Sequence, residues 1–293
     1  MIQPPRRASD PAPTLLRPAW AGALVGVLCG AVWAAPASWM ALLLQRWTDT
    51  RVQALHASGT LWNGQASLAL GAGPGSGAAL AMPGQLSWTL RPTLFSPGGP
   101  GLQMQVQHPV LLAQGALVRL QWSGNTWALQ MRAKEDGQAV TAQLPAAWLA
   151  GLGAPWNTLQ PSGRLQLRLE RLRWEAVPDR TAQLDLALRI QLTEVASRIS
   201  TLPVLGDYEL LLEGGSTVNA RLSTRPGSAL QLEGRGQWTP GGPVAFQGQA
   251  SALAGREEAL ANLLNIIGRR DGPRSLMAFG SPELPGPTPA ATQ

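Results

Sequence analysis

Few side chains in this 293-residue chain have the chemistry for catalysis or metal binding. The two histidines, His56 and His108, lie far apart in sequence, and neither stands beside a carboxylate. A metal or proton-shuttle site would need them brought together by folding. The single cysteine, Cys29, excludes an intrachain disulfide and every cysteine-cluster metal site. Gly73-Pro74-Gly75-Ser76-Gly77 lacks the serine placement of a nucleophile elbow and the lysine of a phosphate-binding loop, and reads as a flexible loop. Glu170, Glu175, Asp179 and Asp185 are scattered over strands and a turn and form no acid–base pair, so they read as a solvated strand face. One stretch concentrates positive charge: Arg164, Arg168, Arg171 and Arg173. Its plain reading is a wet sheet face; the alternative is contact with an acidic partner or with lipid headgroups. No catalytic, cofactor-binding or metal-binding residue is expected.

The composition agrees. Charged residues make up 14% of the chain, against roughly 25% in an average soluble protein. Apolar residues make up 45%, enough for a substantial core. The net charge of +6 is carried almost wholly by arginine and is spread out, without the dense basic stripe that nucleic acid requires. Twelve tryptophans against three phenylalanines imply a repeated packing role for large rings.

Residues 18–45 carry no charge, and arginines bound the run at positions 17 and 46. A helix needs about 20 residues to cross a hydrocarbon layer, and residues 19–36 supply the best span. Trp20 and Trp33 sit near its ends, where indoles favour the interface. Arg6, Arg7 and Arg17 precede it, so the positive-inside rule keeps residues 1–18 in the cytoplasm, as a disordered tail, and sends the rest across. A cleaved signal peptide ending near Ala34-Ala35 is the competing reading; bulky Trp33 and the continuing apolar run favour an uncleaved anchor. Residues 281–293, rich in proline, read as a second disordered tail.

Between the tails the dominant rhythm is period two. Leu184, Leu186, Leu188, Ile190 and Leu192 alternate with Asp185, Ala187, Arg189 and Gln191. Shorter runs follow the same rule: Leu102, Met104 and Val106; Val118, Leu120 and Trp122; Trp127, Leu129 and Met131; Leu165, Leu167 and Leu169; Val218, Ala220 and Leu222; Leu230 and Leu232. Successive strand side chains point to opposite faces, so each run has one apolar and one wet side. That predicts a mainly β, antiparallel fold. Three stretches break the rhythm and read as short helices: residues 37–47, 145–152 and 257–268, the last capped by Gly268.

Pro36-Ala37-Ser38-Trp39-Met40-Ala41 resembles Pro145-Ala146-Ala147-Trp148-Leu149-Ala150, and each copy is followed by a glycine, Gly59 or Gly163. This reads as a degenerate duplication. It divides the extracytoplasmic part into half-domains, residues 37–140 and 141–280, expected as two curved sheets sharing a tryptophan-rich core.

At Gly59-Thr60-Leu61-Trp62-Asn63-Gly64 the chain resembles the protein N family of the bacterial type II secretion system. The next strand, Gly84-Gln85-Leu86-Ser87-Trp88, fits the family, as do Leu205-Gly206-Asp207-Tyr208, Gly234-Arg235-Gly236-Gln237-Trp238 and the closing helix. The likeness covers roughly residues 15–275. It implies a non-enzymatic component of the bacterial inner membrane, crossing it once with its bulk in the periplasm. Its partners would be other secretion-system components and inner-membrane lipid, in support of the export of folded periplasmic proteins across the outer membrane. Gly59, Thr60, Leu61, Trp62, Gly64, Trp88, Gly206 and Tyr208 are the family positions, read as structural. Gly59 and Gly64 are expected to bracket a strand, with Trp62 in the core. The alternative is a periplasmic β-groove protein that binds or carries a lipid or other apolar ligand.

Overall fold

Alternation along each strand and pairing between strands combine into one antiparallel sheet. It is seen in a computed structural model that describes residues 16–71, 79–135, 137–152, 156–178, 182–240, 242 and 244–280. In chain order the strands are β1 (Val52–Gly59), β2 (Asn63–Gly71), β3 (Ala79–Ala81), β4 (Leu86–Thr93), β5 (Gly101–His108), β6 (Leu112–Ser123), β7 (Thr126–Ala133) and β8 (Val140–Pro145). Then follow β9 (Pro161–Ala176), β10 (Gln183–Ser197), β11 (Gly206–Gly214), β12 (Val218–Thr224), β13 (Leu230–Trp238), β14 (Val244–Ala252), β15 (Arg269–Asp271) and β16 (Arg274–Phe279). Spatial order follows chain order closely, as in a meander: β1-β2-β4-β5-β6-β7-β9-β10-β11-β12-β13-β14-β16-β15, with β3 on β2 and β8 on β9.

Register turns the sequence rhythm into a face. Leu102, Leu120, Leu129, Trp174 and Leu184 stand opposite one another across β5, β6, β7, β9 and β10. The next row is Met104, Val118, Met131, Leu172 and Leu186. Every alternating run recognised in the sequence lands on this apolar side. The opposite side carries arginine, glutamine and glutamate. A bulge protects the arrangement within β9: Arg171 faces Ala187, but Leu169 faces Leu188, so Glu170 is the extra residue. Without it Leu172 and Trp174 would turn to the wet side.

The two stretches expected as separate sheets are joined. β7 and β9 pair from Trp127 opposite Ala176 to Met131 opposite Leu172. The strands therefore form one sheet rather than two facing sheets.

The expected helices appear as α2 (Ser38–Trp47), the 3-10 helix Ala146–Leu152 and α4 (Glu257–Ile267); α1 (Leu16–Trp33) precedes them and a single turn, α3 (Trp156–Leu159), follows the 3-10 helix. In α4 the spacing of Leu260, Leu263 and Leu264 makes one apolar stripe. All three are fully buried against Val195, Leu205, Tyr208, Leu230 and Ala250. Gly268 ends the helix in an extended conformation, not the left-handed cap expected. Its glycine is explained by crowding: a Cβ would lie 2.3 Å from the Leu276 carbonyl oxygen. At the other end of the sheet, Ala37 and Met40 close over Ala66 and Trp88, and Trp148 of the 3-10 helix is buried with Leu68 and Met82.

α1 begins earlier than the expected span, takes in Arg17 and stops at Trp33. No helix among the described residues is long and apolar enough to cross a membrane. The expected tails and the Gly73–Gly77 loop lie outside the described residues, apart from positions 16–18.

The α4 stripe gives a direct test of where the core sits. Leu263→Ala is expected to cost about 2–5 kcal/mol in denaturant unfolding, through lost transfer energy and the cavity left behind. Leu276→Ala, on the polar side and 36% exposed, should stay within about 1 kcal/mol.

Candidate partner-contact site

The family motif is a turn, not the strand expected. β1 ends at Gly59 and β2 starts at Asn63, and the two glycines, Gly59 and Gly64, stand opposite each other. Gly59 has φ +91°, and a Cβ there would sit 2.5 Å from the Asn63 carbonyl oxygen. Gly64 is required by Trp88: a Cβ would lie 2.4 Å from Cζ2 of that ring. Thr60 completes the turn, its Oγ1 accepting the Asn63 N–H at 3.1 Å. The buried indole of the motif region is Trp88, 3% exposed, whose Nε1–H donates to the Leu61 carbonyl at 3.0 Å.

Trp62, expected in the core, is half-buried and works at the surface. Its Nε1–H donates to the Val32 carbonyl at 2.9 Å, and its ring lies 6.2 Å from that of Trp33. The Leu61 N–H donates to Ala35, and Pro36 bridges to Thr60. The turn thus grips the C-terminal end of α1 and the link to α2. Sequence gave no sign of this, because the partners are about thirty residues apart and no periodicity joins them.

Gly206 and Tyr208 form a second latch. Gly206 has φ +148°, and a Cβ would meet Ser228 at 2.2 Å. The Ser228 hydroxyl accepts the Asp207 N–H at 3.0 Å and donates to the Arg225 carbonyl at 2.8 Å. Tyr208 is buried, with its hydroxyl donating to the Leu230 carbonyl at 3.1 Å. Burial, with the Asp207 charge adding to it, pushes its pKa up, so it stays a neutral donor.

The arginine stretch lies on the polar face of β9, and each member has a carboxylate. Arg164 pairs with Glu194 at 2.8 Å, Arg168 with Glu170 at 3.5 Å, Arg171 with Asp185 at 3.3 Å, and Arg173 with Glu175 at 2.6 Å. The bulge at Glu170 keeps all four arginines on one side. The acids read from sequence as a solvated face are thus its counter-ions; Asp179 lies outside the described residues. Exposed pairs of this kind are worth about 0–1 kcal/mol each.

The histidines are not brought together. His56 is exposed at the bulge of β1, with φ +54°. His108 is fully buried at the end of β5, and its Nδ1 accepts the N–H groups of Val110 at 3.2 Å and Leu111 at 3.0 Å. That fixes the proton of the neutral ring on Nε2, which has no partner among the described residues. No group of three His, Cys, Asp or Glu side chains that could hold a metal ion occurs among the described residues. Cys29 is free and exposed.

These features define a large antiparallel β-sheet protein whose polar face is laced with ion pairs and whose first turn clasps an N-terminal helix. A family model described as type II secretion system (T2SS), protein N, matches residues 50–277, and the chain belongs to that family. Its role is in protein secretion. The match begins after α2, so α1 and α2 precede it, while the closing helix α4 lies within it. No curated protein and no solved structure matches the chain.

Two outcomes test the geometry. Trp88→Ala is expected to cost about 3–5 kcal/mol in denaturant unfolding, and the half-buried Trp62→Ala clearly less. Burial holds the His108 pKa below its ordinary value of 6.5. In that pH range the unfolded chain binds a proton that the folded chain refuses. The contribution is therefore complete above about pH 6.5 and declines as pH falls towards the lowered pKa. Urea titrations across this range should show that decline, and His108→Asn should flatten it; an identical profile in the variant excludes the histidine as its source.

Proposed function

We propose that the chain is a non-enzymatic assembly component of the type II secretion machinery, fixed to the inner membrane with its sheet in the periplasm. The family match over residues 50–277 carries this reading. α1 supports the membrane tether. Trp20, Leu24, Val27 and Leu28 are 57–73% exposed, so the other described residues leave them uncovered. The residues before it carry the positive charge that favours a cytoplasmic N-terminus. The sheet then serves contacts with other secretion components, as export of folded periplasmic proteins across the outer membrane requires. The duplication is supported by geometry as well as by sequence. Pro36 bridges to Thr60 and Pro145 pairs with Arg164, each partner following a glycine of positive φ, Gly59 or Gly163.

Deleting the gene and assaying culture medium for proteins normally exported through this route tests the reading. Loss of secretion, restored by the full chain, is the expected result. Undiminished secretion, together with no secretion component captured by crosslinking in intact membranes, would remove it.

A second reading has an observation of its own. Away from the helices the apolar face is incompletely covered: Trp122 and Trp127 stack at 6.0 Å yet remain 47% and 46% exposed, and Val244 and Phe279 are more than half exposed. A lipid chain or similar apolar ligand would fit such a surface. Native mass spectrometry of the protein released from membranes distinguishes the two. Bound lipid lost on Trp122→Ser with Trp127→Ser favours the carrier, and a lipid-free protein favours the scaffold.

A further inference from the structure

Several arginines of the polar face lie against carboxylates, and one directly opposed pair that does not lines a cavity. Two pairs of arginines stand directly opposite each other on neighbouring strands. Arg168 faces Arg189 across β9 and β10, and Arg221 faces Arg235 across β12 and β13. Like charges in that position repel. In the first pair the repulsion is relieved: Arg168 meets Glu170 at 3.5 Å and Arg189 meets Glu209 at 3.1 Å. In the second pair neither guanidinium has a carboxylate within 4 Å among the described residues.

That unrelieved pair lines a cavity of about 1260 Å³ along β12, β13, β14 and β16. Arg269 of β15 lines it too. The one acid in the lining, Glu233, accepts a hydrogen bond from the Gln249 amide at 3.2 Å and pairs with none of the three arginines. The wall therefore holds three guanidinium groups against one carboxylate. Beside the cavity, β15 covers β16 only from Arg274 to Leu276, so residues 277–279 have no strand on their outer side among the described residues.

We propose that this cavity is a docking site for an acidic, extended segment of a protein partner. Guanidinium forks bind carboxylates through paired, charge-assisted hydrogen bonds. The open stretch of β16 offers main-chain groups to an added strand. Asn219 and Gln237, which also line the cavity, share one hydrogen bond at 3.2 Å, and their remaining amide groups are of the kind that meets a peptide backbone. The juxtaposed positive charge costs the free protein some stability and is offset when an anionic segment arrives. The site gives the proposed assembly role a specific contact, and rests on that reading for its biological partner.

The test uses the full chain in detergent and a short fluorescein-labelled peptide of alternating Glu and Thr, read by fluorescence anisotropy. Arg221→Gln with Arg235→Gln should weaken binding by about tenfold or more. Arg164→Gln with Arg171→Gln removes the same charge from the ion-paired stretch and should weaken it less than about twofold. The Arg221→Gln, Arg235→Gln variant should also melt about 1–3 °C higher than the parent, because a repulsion is gone. Equal losses in the two variants, or no peptide binding by the parent chain, would overturn the site. So would peptide-independent binding of phosphatidylglycerol vesicles that disappears with Arg221 and Arg235, since the ligand would then be a membrane surface. Peptide binding as described, with secretion intact in the deletion strain, would leave the site standing and remove the assembly role instead.

Discussion

The structure depends on one constraint: side chains paired across a ladder share a face, so apolar residues stay together only while register is held from strand to strand. A slip of one residue anywhere would send half of the leucines into water. The ladder from β4 to β14 avoids that by pairing sequential neighbours everywhere but at β7–β9, and by bulges where the chain falls out of phase. Glu170 corrects β9, and Glu194, with φ +54°, corrects β10 next to Gly163. Both acids are also counter-ions for arginines of β9. The residues that adjust phase therefore neutralise the face they point to.

A single sheet with one apolar side must find a second layer. Here the cover comes from helices at the edges rather than from another sheet. α4 inserts three leucines over β11, β13 and β14, and α2 with the 3-10 helix covers the first strands. Each fully buried leucine contributes about 1.5–3 kcal/mol. The cover is incomplete in between, and the exposed Trp122–Trp127 pair shows it. The core is accordingly divided into local clusters, of which the one under α4 is the largest.

What could be read from the sequence followed from local rules. The run from Leu184 to Leu192 announces β10, and Leu260, Leu263 and Leu264 announce α4, because period two and period 3.6 leave different marks. β1 left none: after Val52 and Ala54 the chain bulges at His56, and the rhythm is lost within one strand. β11 was masked by Leu210-Leu211-Leu212, where the middle leucine faces Arg189 and Arg221 on the polar side. Site features were less legible than strands. Glycine spacing in the first motif signalled an unusual backbone, but only tertiary distances show that Gly64 makes room for Trp88 and that Trp62 looks outward. The counter-ions of Arg164 and Arg171 lie on β10, and pairing them needs the register that sequence alone does not supply.

The tryptophans tie these levels together. An indole combines a large apolar surface with one N–H that must be satisfied when buried. Trp88 spends its ring on Gly64 and its N–H on the Leu61 carbonyl, locking the β1–β2 turn to β4. Trp62 reaches the opposite way, from that turn to the Val32 carbonyl at the end of α1. Two rings, one turned inward and one outward, thus connect the sheet to its leading helix through six residues. A leucine at position 62 would supply packing without the directional bond, leaving the link to the Leu61–Ala35, Pro36–Thr60 and Ala37–Gly59 backbone contacts and the packing of α2. The continuity between the leading helix and the sheet runs through that pair of indoles and the turn that carries one of them.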